Sequence, residues 1–287
     1  MKIGLFSTFM SPRADRLMIK DFAQRCEDIG IESIWMGEHV VLFDETSNPY
    51  PGAADGKIPV PHGGGMLDTV ATFGFLAGVT EKLRFGTGIA LISQRNPVYT
   101  AKEFATLDWL TGGRIDFGVG VGWCEEEVVA SGYSWADRGA RSDEFLALMQ
   151  LFWTQETVEF NGQHFQVAAC RMDPKPLQSP HIPIIVGGHS KPALRRAAKY
   201  GNGWYGFGVN AEQTKPIIEE LANLREQAGT ASQPFEIVIT PNRVSEEIIA
   251  EFEAIGVSRL VLHLGSQRAE KVDARLKEIE LMLSEVG

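Results

Sequence analysis

Four apolar runs in this chain end in residues able to do chemistry. In Arg114-Ile-Asp-Phe-Gly-Val-Gly-Val-Gly-Trp123, Gly118, Gly120 and Gly122 stand at alternate places, and Glu125, Glu126 and Glu127 follow directly. Glycines at the end of a buried strand let backbone come close to a flat ligand, so this run reads as the floor of a cofactor site. Trp35-Met-Gly-Glu-His39 places His39 just past a strand end. A histidine there is a candidate proton donor, because its ordinary pKa puts both protonation states within reach. Phe85-Gly-Thr-Gly-Ile-Ala90 brings Gly88 and Ile89 to a third strand end. Ile184-Ile-Val-Gly-Gly-His189 leads through Ser190 into a helix opening Lys191-Pro192, where free backbone N–H groups and the helix dipole would suit an anion.

Other chemistries find less support. The glycine run lacks the GxGxxG register and the later acidic residue of a dinucleotide fold. Glu125, Glu126 and Glu127 could supply a general acid, but an acidic run at a helix start reads more often as a solvated face favoured by the dipole, which is the expectation here. Cys124 beside them is a poor nucleophile, since neighbouring carboxylates raise a thiol pKa. Three cysteines without CxxC or His-rich spacing indicate neither a disulfide framework nor a metal site. No Ser-His-Asp constellation emerges.

The elements that must position these residues alternate. Strands are expected at 2–9, 31–37, 83–91, 114–122, 184–187, 203–206, 235–240 and 259–264. Helices are expected at 15–29, 68–79, 96–110, 138–153, 191–200, 211–228, 245–255 and 269–286, each read from apolar spacing and from caps such as Asp68 and Asn96-Pro97. Eight such units predict a closed (β/α)8 TIM barrel with chemistry at the strand C-termini, an open doubly wound sheet being the alternative. The Pro- and Gly-rich loop 38–65 is expected to be irregular and to act as a lid. Residues 157–167 alternate around Asn161-Gly162, a hairpin signal, so about 154–182 is an insertion after helix four within one domain spanning 1–287.

A formal net charge of −10 argues against nucleic acid and anionic membrane as partners. No signal-type segment or 18-residue apolar run is present, so a cytoplasmic location is expected.

The whole chain resembles the bacterial luciferase-like monooxygenase family, in particular its coenzyme F-420 dependent oxidoreductase branch. The resemblance rests on Ile34-Trp-Met-Gly-Glu-His39, Leu83-Arg-Phe-Gly-Thr-Gly-Ile89, Asn96-Pro97, Gly112-Gly-Arg114 with Gly118 to Trp123, and Pro183-Ile-Ile-Val-Gly-Gly188 running on through Ser190 to Ala198. It implies a barrel with a flavin-type ring over the strand ends. His39 would be catalytic, and Gly88, Ile89, Asn96, Gly120, Gly122, Trp123, Gly187, Gly188, His189 and Ser190 would hold the cofactor. It also implies a cis Gly88–Ile89 peptide, and a cofactor phosphate on the N–H groups of Gly188 to Ser190.

The sugar- and alcohol-oxidising deazaflavin dehydrogenases have a glutamate acid where this chain has Trp123. The expected function is hydride transfer between coenzyme F-420 and a small organic substrate, with Arg195, Arg196, Lys191 and Lys175 as cations for the anionic tail. The alternatives are an FMN-dependent monooxygenase served by a separate reductase, and a non-catalytic flavin-binding barrel. A homodimer is implied by the resemblance alone.

Overall fold

The computed structural model describes residues 1–53, 55–60, 63–265 and 269–286; Pro61, one of the lid prolines, lies outside them. In chain order the strands are β1 Lys2–Phe6, β2 Met10–Ser11, β3 Ser33–Met36, β4 Gly65–Met66, β5 Arg84–Thr87, β6 Ala90–Leu91, β7 Ile115–Gly120, β8 Val158–Asn161, β9 Gln166–Cys170, β10 Ile184–Gly187, β11 Gly203–Phe207, β12 Glu236–Thr240 and β13 Arg259–His263. The helices are α1 Arg16–Asp28, α2 Thr69–Ala77, α3 Pro97–Thr111, α4 Glu125–Ala130, α5 Arg138–Thr154, α6 Lys191–Tyr200, α7 Ala211–Ala228, α8 Glu246–Ala254 and α9 Ala269–Val286.

Parallel pairing runs β10-β11-β12-β13-β1-β3-β5-β7, and β7 pairs with β10, closing eight strands into a ring. The fold is therefore the (β/α)8 barrel, and the open sheet is excluded. Local chemistry sets the helix boundaries. Asp15 accepts the amides of Leu17 and Met18 at 2.9 Å to start α1. Asn96 caps α3 with Pro97 at its first turn, and Gly112 ends that helix in the left-handed region at φ 68°.

Two apolar layers result. Trp35, Ile185, Tyr205, Val238 and Val261 fill the barrel, with Phe6, Ile89 and Phe207 packed on them. A larger cluster lies between strands and helices.

The lower end is closed by charge. Lys2, Glu32, Arg84, Asp116, Glu236 and Arg259 all sit at or just before strand N-termini. Arg84 Nη2 is 2.8 Å from Asp116, and Arg259 reaches Glu32 at 2.9 Å, Glu236 at 3.2 Å and Asp116 at 3.4 Å. Burial alone would depress both guanidinium pKa values, but the surrounding carboxylates outweigh it and raise them. Arg259 Nε and Glu32 Oε2 are buried there without a hydrogen bond.

Three expectations change. The first strand stops at Phe6, where the Ser7 amide turns to Trp35 O at 2.9 Å; the chain then forms β2, which pairs with β4, so the lid is tied down at its far end. The third strand is broken into β5 and β6 at the Gly88–Ile89 peptide, which is cis as expected. The hairpin forms, but its loop is longer than an Asn-Gly turn, with Asn161 opposite Gln166. The reason lies in α5, where Glu144 accepts the amides of Gln163 and His164 at 2.8 Å and of Phe165 at 3.1 Å. That carboxylate satisfies three loop donors a tight turn would not present.

Candidate active site

β3 delivers Glu38 and His39 to the barrel mouth. Glu38 is buried, accepts the Leu91 amide at 2.7 Å, and is bound by Arg95 Nε at 3.0 Å to both oxygens. This ion pair ties the end of β3 to the turn after β6. His39 Nδ1 lies 2.8 Å from Glu127 Oε2, and the two side chains are 11% and 1% exposed. Glu127 Oε1 accepts the Val40 amide at 2.6 Å and Gln94 Nε2 at 3.3 Å.

Glu127 is thus no solvated face, which corrects the reading of the acidic run. α4 is only six residues long and packs on the Ile92–Gln94 turn, so its third residue points inward. Glu126 does face the lid, where the Ser47 hydroxyl and amide donate to it at 2.6 and 2.7 Å. The Ser47 hydroxyl, with backbone N–H groups, holds the Glu126 carboxyl down at about 2. Cys124 is buried, and burial first, then the glutamates, push its thiol up.

Trp123 fills the corner between His39 and the lid, packing edge-on against His39 at 5.8 Å and against Tyr50 at 5.4 Å. Its Nε1 is buried without a hydrogen-bond partner, as is Gln94 Oε1. Burial raises the Tyr50 hydroxyl pKa.

The glycine floor works differently from the expectation. A Cβ on Gly118 would come within 1.8 Å of Thr87 O, one on Gly120 within 1.8 Å of Ile89 Cδ1, and one on Gly187 within 3.0 Å of Ile89 Cγ2. The room these glycines leave is filled from within the chain. Ile89 lies across the ends of β7 and β10, so a ligand over the mouth meets Ile89 in place of bare glycine backbone. Gly122 has φ 82°, where a side chain would be strained.

The loop after β10 is exposed, with Gly188 at φ 107°. The Gly188 amide turns back to Tyr205 O at 3.4 Å, and its carbonyl accepts Trp204 Nε1 at 2.8 Å. Ser190 caps α6 by accepting the Ala193 amide at 3.4 Å. Among the described residues the amides of His189, Ser190 and Lys191 have no acceptor. The free amides of this loop are thus those of 189–191, one residue on from the expected 188–190. His189 packs on Trp204 at 5.7 Å, and burial pulls its pKa down.

Asn96 stands apart from this group. It is exposed, and its side-chain oxygen accepts the amides of Val98 and Tyr99 as the α3 cap. Of the four expected cations, Arg196 is buried against Asp143 at 2.7 Å and Lys175 donates to Phe152 O at 2.9 Å. Lys191 and Arg195 are exposed on α6.

The sequence reading named Glu127 only as one of three acidic candidates and set it on a solvated face; it missed Gln94, Tyr50 and a rim of rings at the ends of β1, β11 and β13. Phe6, Phe207 and His263 lie 5.3–5.5 Å apart centre to centre, and burial lowers the His263 pKa. Strand-end position was the available signal for Phe207 and His263. Among the described residues no cluster is placed to hold a metal ion, and no helix is long and apolar enough to cross a membrane.

Comparison with known proteins adds a family. The sequence model described as luciferase-like monooxygenase matches residues 1–277. An uncharacterised protein of Mycobacterium tuberculosis is 29% identical over 270 residues, 92% of each chain. The FMNH(2)-dependent dimethylsulfone monooxygenase of Pseudomonas putida is 34% identical over 149 residues, 51% of this chain and 41% of that one. Among solved structures, an F420-dependent secondary alcohol dehydrogenase in complex with an F420-acetone adduct superposes with a TM-score of 0.78 at 19% identity, covering 97% of both chains.

Proposed function

The chain belongs to the luciferase-like monooxygenase family, whose members are flavin- or deazaflavin-dependent oxidoreductases, and from that premise we propose that it transfers a hydride between coenzyme F-420 and a small organic substrate. The observation that carries this reading is the His39–Glu127 pair, in which a histidine just past the end of β3 is held by a buried carboxylate of α4. The residues present fit such a cofactor. The free amides of 189–191 suit its phosphate, Gly88 and Ile89 offer the surface for its ring, and the unpartnered Trp123 N–H is a donor in need of an acceptor. Lys191 and Arg195 remain for an anionic tail. When bound, the deazaflavin supplies a two-electron carrier that gives or takes hydride.

The protein's own work is to bind, orient and move a proton. With Trp123 in place of a carboxylic acid, the proton that accompanies the hydride falls to His39. The aromatic rim and the exposed Val40, Val41, Leu42 and Phe43 at the lid root favour a substrate without charge.

One observation favours the second reading, an FMN-dependent monooxygenase: two of the four cations expected for the F-420 tail are engaged elsewhere. Fluorescence titration of the apo-protein with each cofactor separates the two. Tighter binding of F-420 than of FMN is expected. Binding of FMN at about micromolar concentration with none of F-420 would replace the first reading with the second.

A further inference from the structure

We propose that Glu127 is a positioning residue: its buried carboxylate holds His39 in the tautomer that carries hydrogen on Nδ1, so that Nε2 is the nitrogen left for proton transfer. The inference rests on the reading of His39 as the proton-transfer group, and it names what makes that histidine competent.

The side chain of Glu127 is 1% exposed and faces His39 Nδ1 at 2.8 Å. Two arrangements satisfy that contact. In one, an ionised carboxylate accepts Nδ1–H, and Nε2 has a lone pair. In the other, a protonated carboxyl donates to Nδ1, and Nε2 carries the hydrogen. Relative basicity decides between them, because an imidazole nitrogen is a stronger base than a carboxylate oxygen and would take the proton a carboxyl held against it; the donors on the other oxygen act in the same direction. Glu127 Oε1 accepts from the Val40 amide at 2.6 Å and faces Gln94 Nε2 at 3.3 Å, and two N–H donors on one oxygen favour the ionised form. An ionised carboxylate can only accept, so Nδ1 must donate. Nε2 is then free to take a proton, and once protonated to return it, with the imidazolium charge balanced by Glu127.

The surroundings fix the ring as well as the proton. Trp123 stands edge-on to the imidazole at 5.8 Å, and the backbone just beyond His39 is tied to the same carboxylate through the Val40 amide. Among the described residues, His39 is the only cation-forming side chain paired with Glu127. The carboxylate therefore has no second counter-charge competing with the histidine.

Long-range 1H–15N correlation spectra of the apo-protein, with the His39 signals assigned by their loss in His39→Gln, test this without any cofactor. Neutral His39 should show a protonated Nδ1 and an unprotonated Nε2. In Glu127→Gln that Nδ1–H signature should be lost or mixed with the Nε2–H form, because the amide can donate as well as accept, while the other five histidines keep their spectra. A wild-type His39 with its proton on Nε2, or an unchanged tautomer in Glu127→Gln, overturns the proposal. If Glu127→Gln does not fold, the wild-type spectrum alone decides. Failure of both cofactors to bind would remove the proposed function and leave the tautomer result standing, so the two failures are distinguishable.

Discussion

The two ends of one barrel solve opposite problems with the same strands. At the lower end, three basic and three acidic side chains interlock, and the half-buried guanidinium of Arg84 and the buried one of Arg259 are held by carboxylates from around the ring. At the upper end, aromatic rings dominate the rim, and one carboxylate, Glu127, is matched to one titratable ring, His39. The lower end has its charges compensated internally and is built for stability. Both ends keep buried polar atoms without hydrogen bonds, but at the lower end they lie among compensating charges, whereas at the mouth the Trp123 N–H and the amides of 189–191 are groups a ligand can complete.

The comparison breaks most visibly at Asp116, which is 3% exposed and serves both arginines. Asp116→Ala takes a shared carboxylate from the buried Arg259 and the half-buried Arg84, and its unfolding free energy in denaturant should fall by about 3 kcal/mol. The native fraction should keep its cofactor affinity. His39→Ala should do the reverse, lowering turnover by about 100-fold or more at a smaller stability cost of about 1–3 kcal/mol, since Glu127 keeps its Val40 and Gln94 donors. Stability loss without loss of turnover would make His39 a lower-end residue in the wrong place. Trp123→Phe keeps the ring and removes the N–H. If that donor serves the ligand, cofactor affinity should drop about tenfold in a fluorescence titration, with no cost to stability.

The smallest expected effect concerns the lid. Because the Glu126 carboxyl is depressed to about 2, its tether to Ser47 contributes above the ordinary carboxylate range of about 4.3 and is lost as pH falls toward 2. Ser47→Ala should return that carboxyl toward its ordinary value. Pepsin should then cut the lid at a higher pH than in the wild type, and equal cleavage profiles would show that the tether does not hold the lid.

Much of this was readable before any coordinates. The alternation of strand and helix, the caps Asp68 and Asn96, and the strand-end placement of His39 follow from spacing and local chemistry. Glu127 was readable only as one of three acidic candidates, because the direction of a side chain on so short a helix is set by what the helix docks against. Arg196 could have been read, since it shares the buried phase of Ala193 and Ala197, whereas Arg195 falls on the outer face. The role of the glycines was half legible: their spacing announced a close approach, but not that Ile89 makes it.

That close approach has a practical meaning for anyone who wishes to redesign the mouth. Thr87 and Ile89 occupy the space that Gly118, Gly120 and Gly187 vacate, so these positions form one mechanical part, like a tongue in its groove. A library that varies Gly118 alone meets the Thr87 carbonyl and will discard nearly every member before catalysis is measured, whereas a side chain at 120 or 187 asks only Ile89 to yield. One that shrinks residue 89 while enlarging 120 or 187 explores new mouths on an intact frame. Variation at 120 and 187 will go furthest in correlated pairs with 89.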